Sequence, residues 1–181
     1  MDNAACSYRR FLDGEETAFD EIIKELFEPL VFFIHRYVQD IHAAEDLAID
    51  AFSDLVVHRH RYNFKVSLKT YLFMIGRCRA LNYMKRHRRT ALVPLEETVA
   101  DTSFTPEEQY LRDEQHRALH TALAALPEEQ RAAVHLVYFE GLSYEDAARV
   151  MKKNKKQIDN LLYRAKTALR TELGKECEGV V

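Results

Sequence analysis

Basic and amide side chains are concentrated between residues 149 and 170, where they could bind an anionic polymer. Lys155 and Lys156 fall in the first turn of a predicted helix, where a cation is unfavourable against the helix dipole by about 0.3–1 kcal/mol each. Phosphate is an anion that a helix N-terminus favours. The stretch holds one acid, Asp159, and eight bases: Arg149, Lys152, Lys153, Lys155, Lys156, Arg164, Lys166 and Arg170. The pattern indicates a nucleic-acid contact, with a solvated basic helical hairpin as the alternative.

Start and stop signals across residues 126–173 predict three helices, of which the last two form a helix-turn-helix. Pro127 occupies a first helical position, and Gly141 ends that helix. Ser143 and Asn154 are predicted N-caps of the next two helices, each with a capping-box partner three residues later. The partners are Asp146 and Gln157. A helix-turn-helix places its second helix in the DNA major groove.

A second basic region lies in residues 55–95, which contain ten bases and no acid. Residues 1–54 contain thirteen acids and four bases, and the whole chain has a net charge of −3. Acidic and basic segments therefore alternate along the chain. The alternation indicates two polyanion-binding surfaces, each paired with a surface for another partner.

The second basic region contains a predicted loop and a predicted helix. Residues 61–67 lack helical periodicity and combine Tyr62 and Phe64 with basic side chains. Aromatic faces can stack on the bases of a single strand while cations hold its phosphates. Alternatively, one of the two rings fills the core below the loop. The helix runs from about Leu68 to Arg88 and ends in a basic cluster.

Two earlier helices must position these groups. The first covers residues 16–39, and Pro29 is expected to kink it or split it in two. The second covers residues 43–60, with Asp40 as its N-cap. It turns four acids away from its apolar side: Glu45, Asp46, Asp50 and Asp54.

Several classes of protein are disfavoured by the composition. Three widely spaced cysteines without a CxxC motif argue against disulfides and zinc. His42 and Asp46 lie four residues apart, but such a pair is more often ordinary surface than a metal site, so no metal is expected. The chain has no apolar signal core and no run approaching about 18 apolar residues, which predicts a cytoplasmic protein without direct membrane insertion. Scarce glycine favours an all-α fold.

Four segments, taken in order, resemble a known family. AEDLAIDAF at 44–52 and LKTYLFMIGRCRALNYMKRHRR at 68–89 resemble the polymerase-binding and promoter-melting part of bacterial sigma factors. LPEEQRAAVHLVYFEGLSYEDAARVM at 126–151 and LLYRAKTALRTEL at 161–173 are similar to the C-terminal domain of that family. The small size of the chain is similar to the extracytoplasmic-function group.

The resemblance implies two small helical domains joined by a flexible linker, the second domain being a helix-turn-helix. The expected limits are 1–92 for the N-terminal domain, 93–105 for the linker and 106–181 for the C-terminal domain. The implied function is binding to core RNA polymerase and promoter-specific transcription initiation, without enzymatic activity, cofactor or small-molecule substrate. Promoter DNA is the second implied partner, and an anti-sigma factor is a further one.

Three sets of site residues follow from the resemblance. Core polymerase is expected to contact Glu45, Asp46, Asp50 and Phe52. The minus-ten element is expected to contact Arg61, Tyr62, Asn63, Phe64, Lys65, Tyr71, Arg77, Arg79, Asn82, Lys85 and Arg86. The minus-thirty-five element, in duplex form, is expected to contact Arg149, Lys155, Lys156, Gln157, Asn160, Arg164 and Lys166.

A few residues depart from the family's pattern. Tyr71 stands where tryptophan is usual, and Ile49 stands where glutamine is common. Lys152 and Lys153 replace the usual glycine and apolar residue of the turn, so the turn geometry is expected to differ. Two positions on the recognition helix lack the base that is common there: Asp159 and Leu161. The promoter sequence is therefore not carried over from the family.

Two other functions remain as alternatives. A stand-alone helix-turn-helix regulator would use residues 1–92 for ligand sensing or dimerisation. That reading explains the C-terminal hairpin but not an acid-free basic stretch beside an acidic helix. A nucleic-acid enzyme would need a Gly-rich phosphate loop or a compact carboxylate, His or Cys cluster, and the sequence contains neither.

Overall fold

The computed structural model describes residues 3–87, 119 and 121–178, with side chains as far as residue 173. Helices and short loops make up these residues, and no strand occurs among them. The predicted all-α fold with a C-terminal helix-turn-helix is confirmed. The predicted linker, residues 93–105, lies outside the described residues.

The N-terminal half contains four helices: α1 (Asn3–Leu12), α2 (Thr17–Val38), α3 (Ile41–Val57) and α4 (Leu68–His87). Asp40 caps α3 as predicted, because its carboxylate accepts hydrogen bonds from the N–H groups of His42 at 3.0 Å and Ala43 at 3.2 Å. Just before this cap, Gln39 ends α2 in a left-handed conformation with φ of 55°. The α2–α3 corner is therefore set by local hydrogen bonds.

Helix α1 was not predicted from the sequence. It buries Ala4 and Tyr8 against the other three helices, and the Tyr8 hydroxyl donates to the carbonyl of Leu55 at 3.0 Å. Burial raises the pKa of Tyr8 to about 12, so the phenol stays a hydrogen-bond donor. The spacing of Ala4, Tyr8 and Phe11 was a helical signal, but ten residues alone would be marginally helical.

Helix α2 continues through Pro29, so of the two predicted outcomes, a kink or a split, the split does not occur. Proline removes one backbone hydrogen bond, at a cost of about 3 kcal/mol in a helix interior. This cost is opposed by burial of apolar side chains, because α2 fully buries Ile22, Leu30 and Phe33. Each such side chain contributes about 1.5–3 kcal/mol, which is enough to hold the helix together.

Helix α4 packs closely on α2 at Gly76. A Cβ at this position would lie 2.8 Å from Leu30 Cδ1 and 3.2 Å from an Ile34 side-chain carbon, so glycine permits the close approach. The apolar spacing of this segment predicts a packed side formed by Leu68, Leu72, Ile75 and Leu81, of which the first two are buried. Ile75 and Leu81 are only partly buried, and the buried side is formed by Leu68, Thr70, Leu72, Phe73, Gly76 and Ala80.

The C-terminal half contains α5 (Glu128–Val134), a π-helical turn (His135–Phe139), α6 (Tyr144–Met151) and α7 (Lys155–Glu178). Pro127 is the N-cap of α5 rather than its first residue, and the π-helical turn was not predicted. Gly141 ends the segment with φ of 67°, as expected of a glycine stop.

Both predicted caps of the helix-turn-helix are present. The Ser143 hydroxyl accepts from the N–H of Asp146 at 3.1 Å. The capping box at the start of α7 is reciprocal. The Asn154 side-chain oxygen accepts from the Gln157 N–H, and the Gln157 side-chain oxygen accepts from the Asn154 N–H, both at 2.8 Å. These bonds satisfy backbone donors that a helix start otherwise leaves unpaired.

The two halves pack directly on one another, mainly through α4 with α6 and α2 with α5. The Phe33 ring stacks on the His135 ring, with centroids 5.9 Å apart and an angle of 19° between the planes. Near this stack, the Arg131 guanidinium donates to the backbone carbonyl of Arg36 at 3.4 Å. The contact therefore combines apolar and polar groups.

Candidate nucleic-acid interface

Helix α3 presents an acidic face to solvent. Glu45, Asp46 and Asp50 are exposed, and the exposed Ile49 lies among them. Phe52 lies on the opposite side, is only 5% exposed, and packs against the rings of Phe19 and Phe27. Phe52 supports the helix from inside, so its predicted contact with a polymerase surface does not fit its position.

Arg79 connects α4 to this acidic face. One of its terminal nitrogens lies 2.9 Å from an Asp50 oxygen, and the other lies 3.2 Å from an Asp54 oxygen. The second carboxylate also pairs with the His58 ring at 2.8 Å. Arg79, which is expected to contact the minus-ten element, is therefore held by Asp50, which is expected to face the polymerase, and by the neighbouring Asp54.

The loop at residues 61–67 is built around buried aromatic rings. Tyr62 is 4% exposed and its hydroxyl donates to the Val66 carbonyl at 2.7 Å. Its ring lies 4.6 Å from that of Phe64 and 5.0 Å from that of Tyr71, between centroids. Tyr62 is therefore the ring that fills the core, as one reading of the loop anticipated, and it offers no face for stacking here.

Phe64 has an unusual backbone. Its φ of 59° is in the left-handed region, which a bulky residue rarely adopts. The Arg9 guanidinium lies 4.7 Å above its partly buried ring. Strained positions of this kind persist where the surroundings determine them, and they cluster at binding sites.

The remaining residues of the predicted minus-ten set differ in exposure. Arg77 is partly buried, facing the buried Tyr37, and Tyr71 is also partly buried. Desolvation raises the pKa of Tyr37 to about 12, although Arg77 acts in the opposite direction. The exposed members are Arg61, Asn63, Lys65, Asn82, Lys85 and Arg86.

All seven residues of the predicted minus-thirty-five set are exposed, but three of their five charged side chains have intramolecular partners. Arg149 pairs with Asp146 at 2.7 Å, and Lys155 pairs with Glu145 at 2.5 Å. The hydrogen bond that Lys155 donates to Glu145 lowers the pKa of Glu145 and raises the pKa of Lys155. Lys166 lies 5.2 Å above the Tyr138 ring.

The other four residues are Lys156, Gln157, Asn160 and Arg164. Gln157, Asn160 and Arg164 help to line a shallow groove of about 200 Å³ along α7. Lys152, at the preceding turn, has φ of 53°. That is the left-handed conformation that glycine adopts readily, so lysine at this position does not by itself change the turn.

A buried polar cluster joins the two halves and was missed by the sequence analysis. The Glu140 carboxylate lies 2.8 Å from the Lys69 ammonium and 3.1 Å from His135 Nε2. Burial acts to raise the pKa of Glu140, but hydrogen bonds to His135 and Lys69 outweigh it and lower the pKa. Lys69 and Glu140 are 71 positions apart, so no local pattern could pair them.

Within residues 3–87, 119 and 121–178, no group of His, Cys, Asp or Glu could hold a metal ion. The ring of His42 lies 3.5 Å from Glu45 rather than beside Asp46. No helix in the same part of the chain is long and apolar enough to cross a membrane.

The geometry defines an all-helical protein with an acidic face, an aromatic loop and a basic helix-turn-helix. The family profile of Sigma-70 region 2 matches residues 22–90, and that of Sigma-70 region 4 matches residues 116–169. The RNA polymerase sigma-H factor of Pseudomonas aeruginosa is 32% identical over 170 residues, covering 86% of each chain. The ECF RNA polymerase sigma factor SigM of Bacillus subtilis is 26% identical over 156 residues, covering 83% of this chain and 92% of that protein.

The chain belongs to the sigma-70 family, as an RNA polymerase sigma factor of the extracytoplasmic-function type. Two solved structures share its fold. The sigma factor RpoE in complex with the anti-sigma factor NepR from Bartonella quintana has a TM-score of 0.69 and 22% identity, covering 86% of this chain and 96% of that chain. CnrH in complex with the cytosolic domain of CnrY has a TM-score of 0.64 and 20% identity, covering 95% of each chain.

Proposed function

We propose that this sigma factor binds core RNA polymerase through the acidic face of α3 and reads two promoter elements with its two halves. The observation that carries the proposal is the separation of charge on one small fold. Glu45, Asp46 and Asp50 would repel DNA, whereas the bases of the 61–67 loop, of α4 and of α7 would attract it. One chain therefore offers a protein-binding surface and two nucleic-acid surfaces.

The minus-ten element would contact the exposed residues of the 61–67 loop and the last two turns of α4. Arg61, Lys65, Lys85 and Arg86 would hold phosphates, and Asn63 would approach a base that leaves the stack. Flipping a base costs a few kcal/mol of stacking, which pocket contacts repay. Arg79 would join this surface only if its ion pairs with Asp50 and Asp54 break when polymerase binds.

The minus-thirty-five element would lie along α7 as a duplex. Lys156 and Arg164 would position the helix on phosphates, and Asn160 could read a base edge in the major groove. Lys155, Arg149 and Lys166 would contribute less, because intramolecular partners already hold their charges.

The observed packing of the two halves would have to open for both elements to be read together. Elements named for positions ten and thirty-five lie about 25 base pairs apart, or about 85 Å at about 3.4 Å per pair. Helices α4 and α7 have 20 and 24 residues. Even end to end they would span about 66 Å, at about 1.5 Å per residue. The contact between Lys69 and Glu140 holds α4 beside the C-terminal half, and we infer that this contact breaks when both elements are bound.

The remaining assignments complete the proposal. The domain limits are residues 1–92 and 106–181, joined by a linker at 93–105. The protein would catalyse no covalent step, need no cofactor, and act in the cytoplasm. An anti-sigma factor is a further proposed partner, because RpoE, which shares the fold, is bound to an anti-sigma factor, and CnrH is likewise in complex with a second protein.

The test is run-off transcription with purified bacterial core polymerase on a pool of genomic fragments, with and without this chain. Discrete transcripts that require the chain would support the proposal and supply the promoter elements. Absence of such transcripts, together with tight binding to a palindromic site without polymerase, would favour a stand-alone regulator.

A further inference from the structure

The groove along α7 is lined by five residues of unlike chemistry: Lys153, Gln157, Asn160, Leu161 and Arg164. Leu161 is the one apolar member of the set. It is partly buried, packing against the core of the C-terminal half while leaving part of its side chain in the groove. An apolar side chain among base-reading polar groups has one common use in the major groove, which is contact with the 5-methyl group of thymine.

Two of the polar lining residues have structural tasks. The Lys153 ammonium lies 2.8 Å from a Glu129 carboxylate oxygen, which ties the turn to α5. The Gln157 side-chain oxygen accepts the Asn154 N–H in the capping box. Bidentate recognition of adenine by glutamine uses that oxygen as an acceptor and the amide as a donor. The Gln157 side-chain oxygen is therefore occupied by the capping hydrogen bond. We expect contacts to the bases to come from Asn160 and Leu161 instead.

We propose that Leu161 is a specificity-determining residue that packs against the methyl group of a thymine in the minus-thirty-five element, beside a base read by Asn160. The inference rests on the proposed function, because it requires α7 to enter the major groove. Leu161 follows Asn160 directly and lies one helical turn after Gln157, so it shares their groove. A leucine side chain has no charge or donor with which to bind a phosphate. In the major groove it can contact an apolar group on a base.

The test replaces each thymine of the minus-thirty-five element in turn by deoxyuridine, which lacks only the 5-methyl group. Binding of the promoter fragment is measured for the full chain assembled with core polymerase. At one thymine, the holoenzyme is expected to bind the deoxyuridine fragment about fourfold more weakly, the effect of one buried methyl group. The other replacements are expected to have little effect.

Three variants locate the effect. Leu161→Ala is expected to bind both fragments equally, and Leu161→Met is expected to keep most of the discrimination because it preserves an apolar contact. Asp159→Ala is a matched control on the same helix and is expected to discriminate as the wild type does. The ratio of the two affinities is compared within each protein, so a reduced fraction of folded Leu161→Ala does not alter it.

Two results would overturn the inference while leaving the proposed function intact. One is a promoter on which no single deoxyuridine replacement weakens wild-type binding. The other is discrimination that persists unchanged in Leu161→Ala. A holoenzyme that fails to bind the unmodified promoter would instead contradict the proposed function itself, and the inference with it.

Discussion

The ammonium of Lys69 lies 2.8 Å from a carboxylate oxygen of Glu140, and it also donates to the Glu140 carbonyl at 2.9 Å. Lys69 belongs to the basic helix of the N-terminal half, whereas Glu140 ends the first helical segment of the helix-turn-helix half. His135 approaches the same carboxylate. The contact between the two halves is therefore centred on one buried acid.

Replacing that acid should loosen the contact between the halves. Glu140→Gln leaves Lys69 without its charged partner, and we expect the free energy of unfolding to fall by about 1.5–3 kcal/mol, the range for a hydrogen bond to a charged group. Amide hydrogen exchange at residues 68–73 should become faster. The matched control is Glu145→Gln, an exposed acid that pairs with Lys155. Equal exchange in the two variants would contradict the account.

The same variant has a pH signature. The pKa of Glu140 in the folded chain lies below its ordinary value of 4.5. The ion pair of Glu140 therefore contributes fully to the free energy of unfolding at pH values above about 4.5. This contribution is lost as the pH falls through the lower pKa of the folded state. The difference in unfolding free energy between wild type and Glu140→Gln should shrink as the solution becomes acid. A constant difference would show that the carboxylate charge is not responsible.

The cap of α7 gives a prediction about stability. Asn154→Ala removes the acceptor for the Gln157 N–H, and we expect the unfolding free energy to decrease by about 0.5–2 kcal/mol. Asn160→Ala, an exposed change on the same helix, serves as the control in the same urea titration. If the two variants unfold at the same urea concentration, the reciprocal capping box does not stabilise the turn.

These caps also show what the sequence could predict. Asp40, Ser143 and Asn154 act within three residues of their own positions, so local pattern was sufficient to identify them. Local pattern was also sufficient to identify the exposed acids of α3 and the bases of α7. Family resemblance then supplied the function, because no local chemistry distinguishes a promoter from any other duplex.

Long-range packing decides the points that the sequence left open or missed. Pro29 stays inside α2 because the buried face of that helix outweighs the lost hydrogen bond, and Tyr62 enters the core because α1 supplies the ring of Tyr8 beside it. The pairing of Arg79 with Asp50 joins residues 29 positions apart. None of these outcomes has a signal in a short window of sequence.

The acidic face of α3 predicts how the chain binds polymerase. Asp46→Arg reverses the charge of an exposed side chain, and we expect loss of binding to core polymerase without a change in the melting temperature of the free chain. Asp13→Arg, at an exposed acid before α2, is the control for net charge. Co-sedimentation with core polymerase measures the effect. Normal binding by Asp46→Arg would place the polymerase contact elsewhere.

The first turn of α7 predicts the salt dependence of DNA binding. Lys156→Ala should reduce the slope of log affinity against log salt concentration by about 0.9, the effect of one lost phosphate contact. Adding Lys155→Ala should change the slope by less, because Glu145 already pairs with Lys155. Lys24→Ala on α2 is the control. Holoenzyme binding to a promoter fragment at several salt concentrations provides the slopes, and an unchanged slope for Lys156→Ala would exclude a phosphate contact there.

The most direct test of the central claim uses one promoter identified by run-off transcription, with each element scrambled separately. Purified core polymerase with this chain should start transcription on the intact fragment. The start should be lost when the minus-ten element is scrambled and strongly reduced when the minus-thirty-five element is scrambled. A start that survives both changes, or that appears without the chain, would contradict the claim that its two halves direct polymerase to promoters.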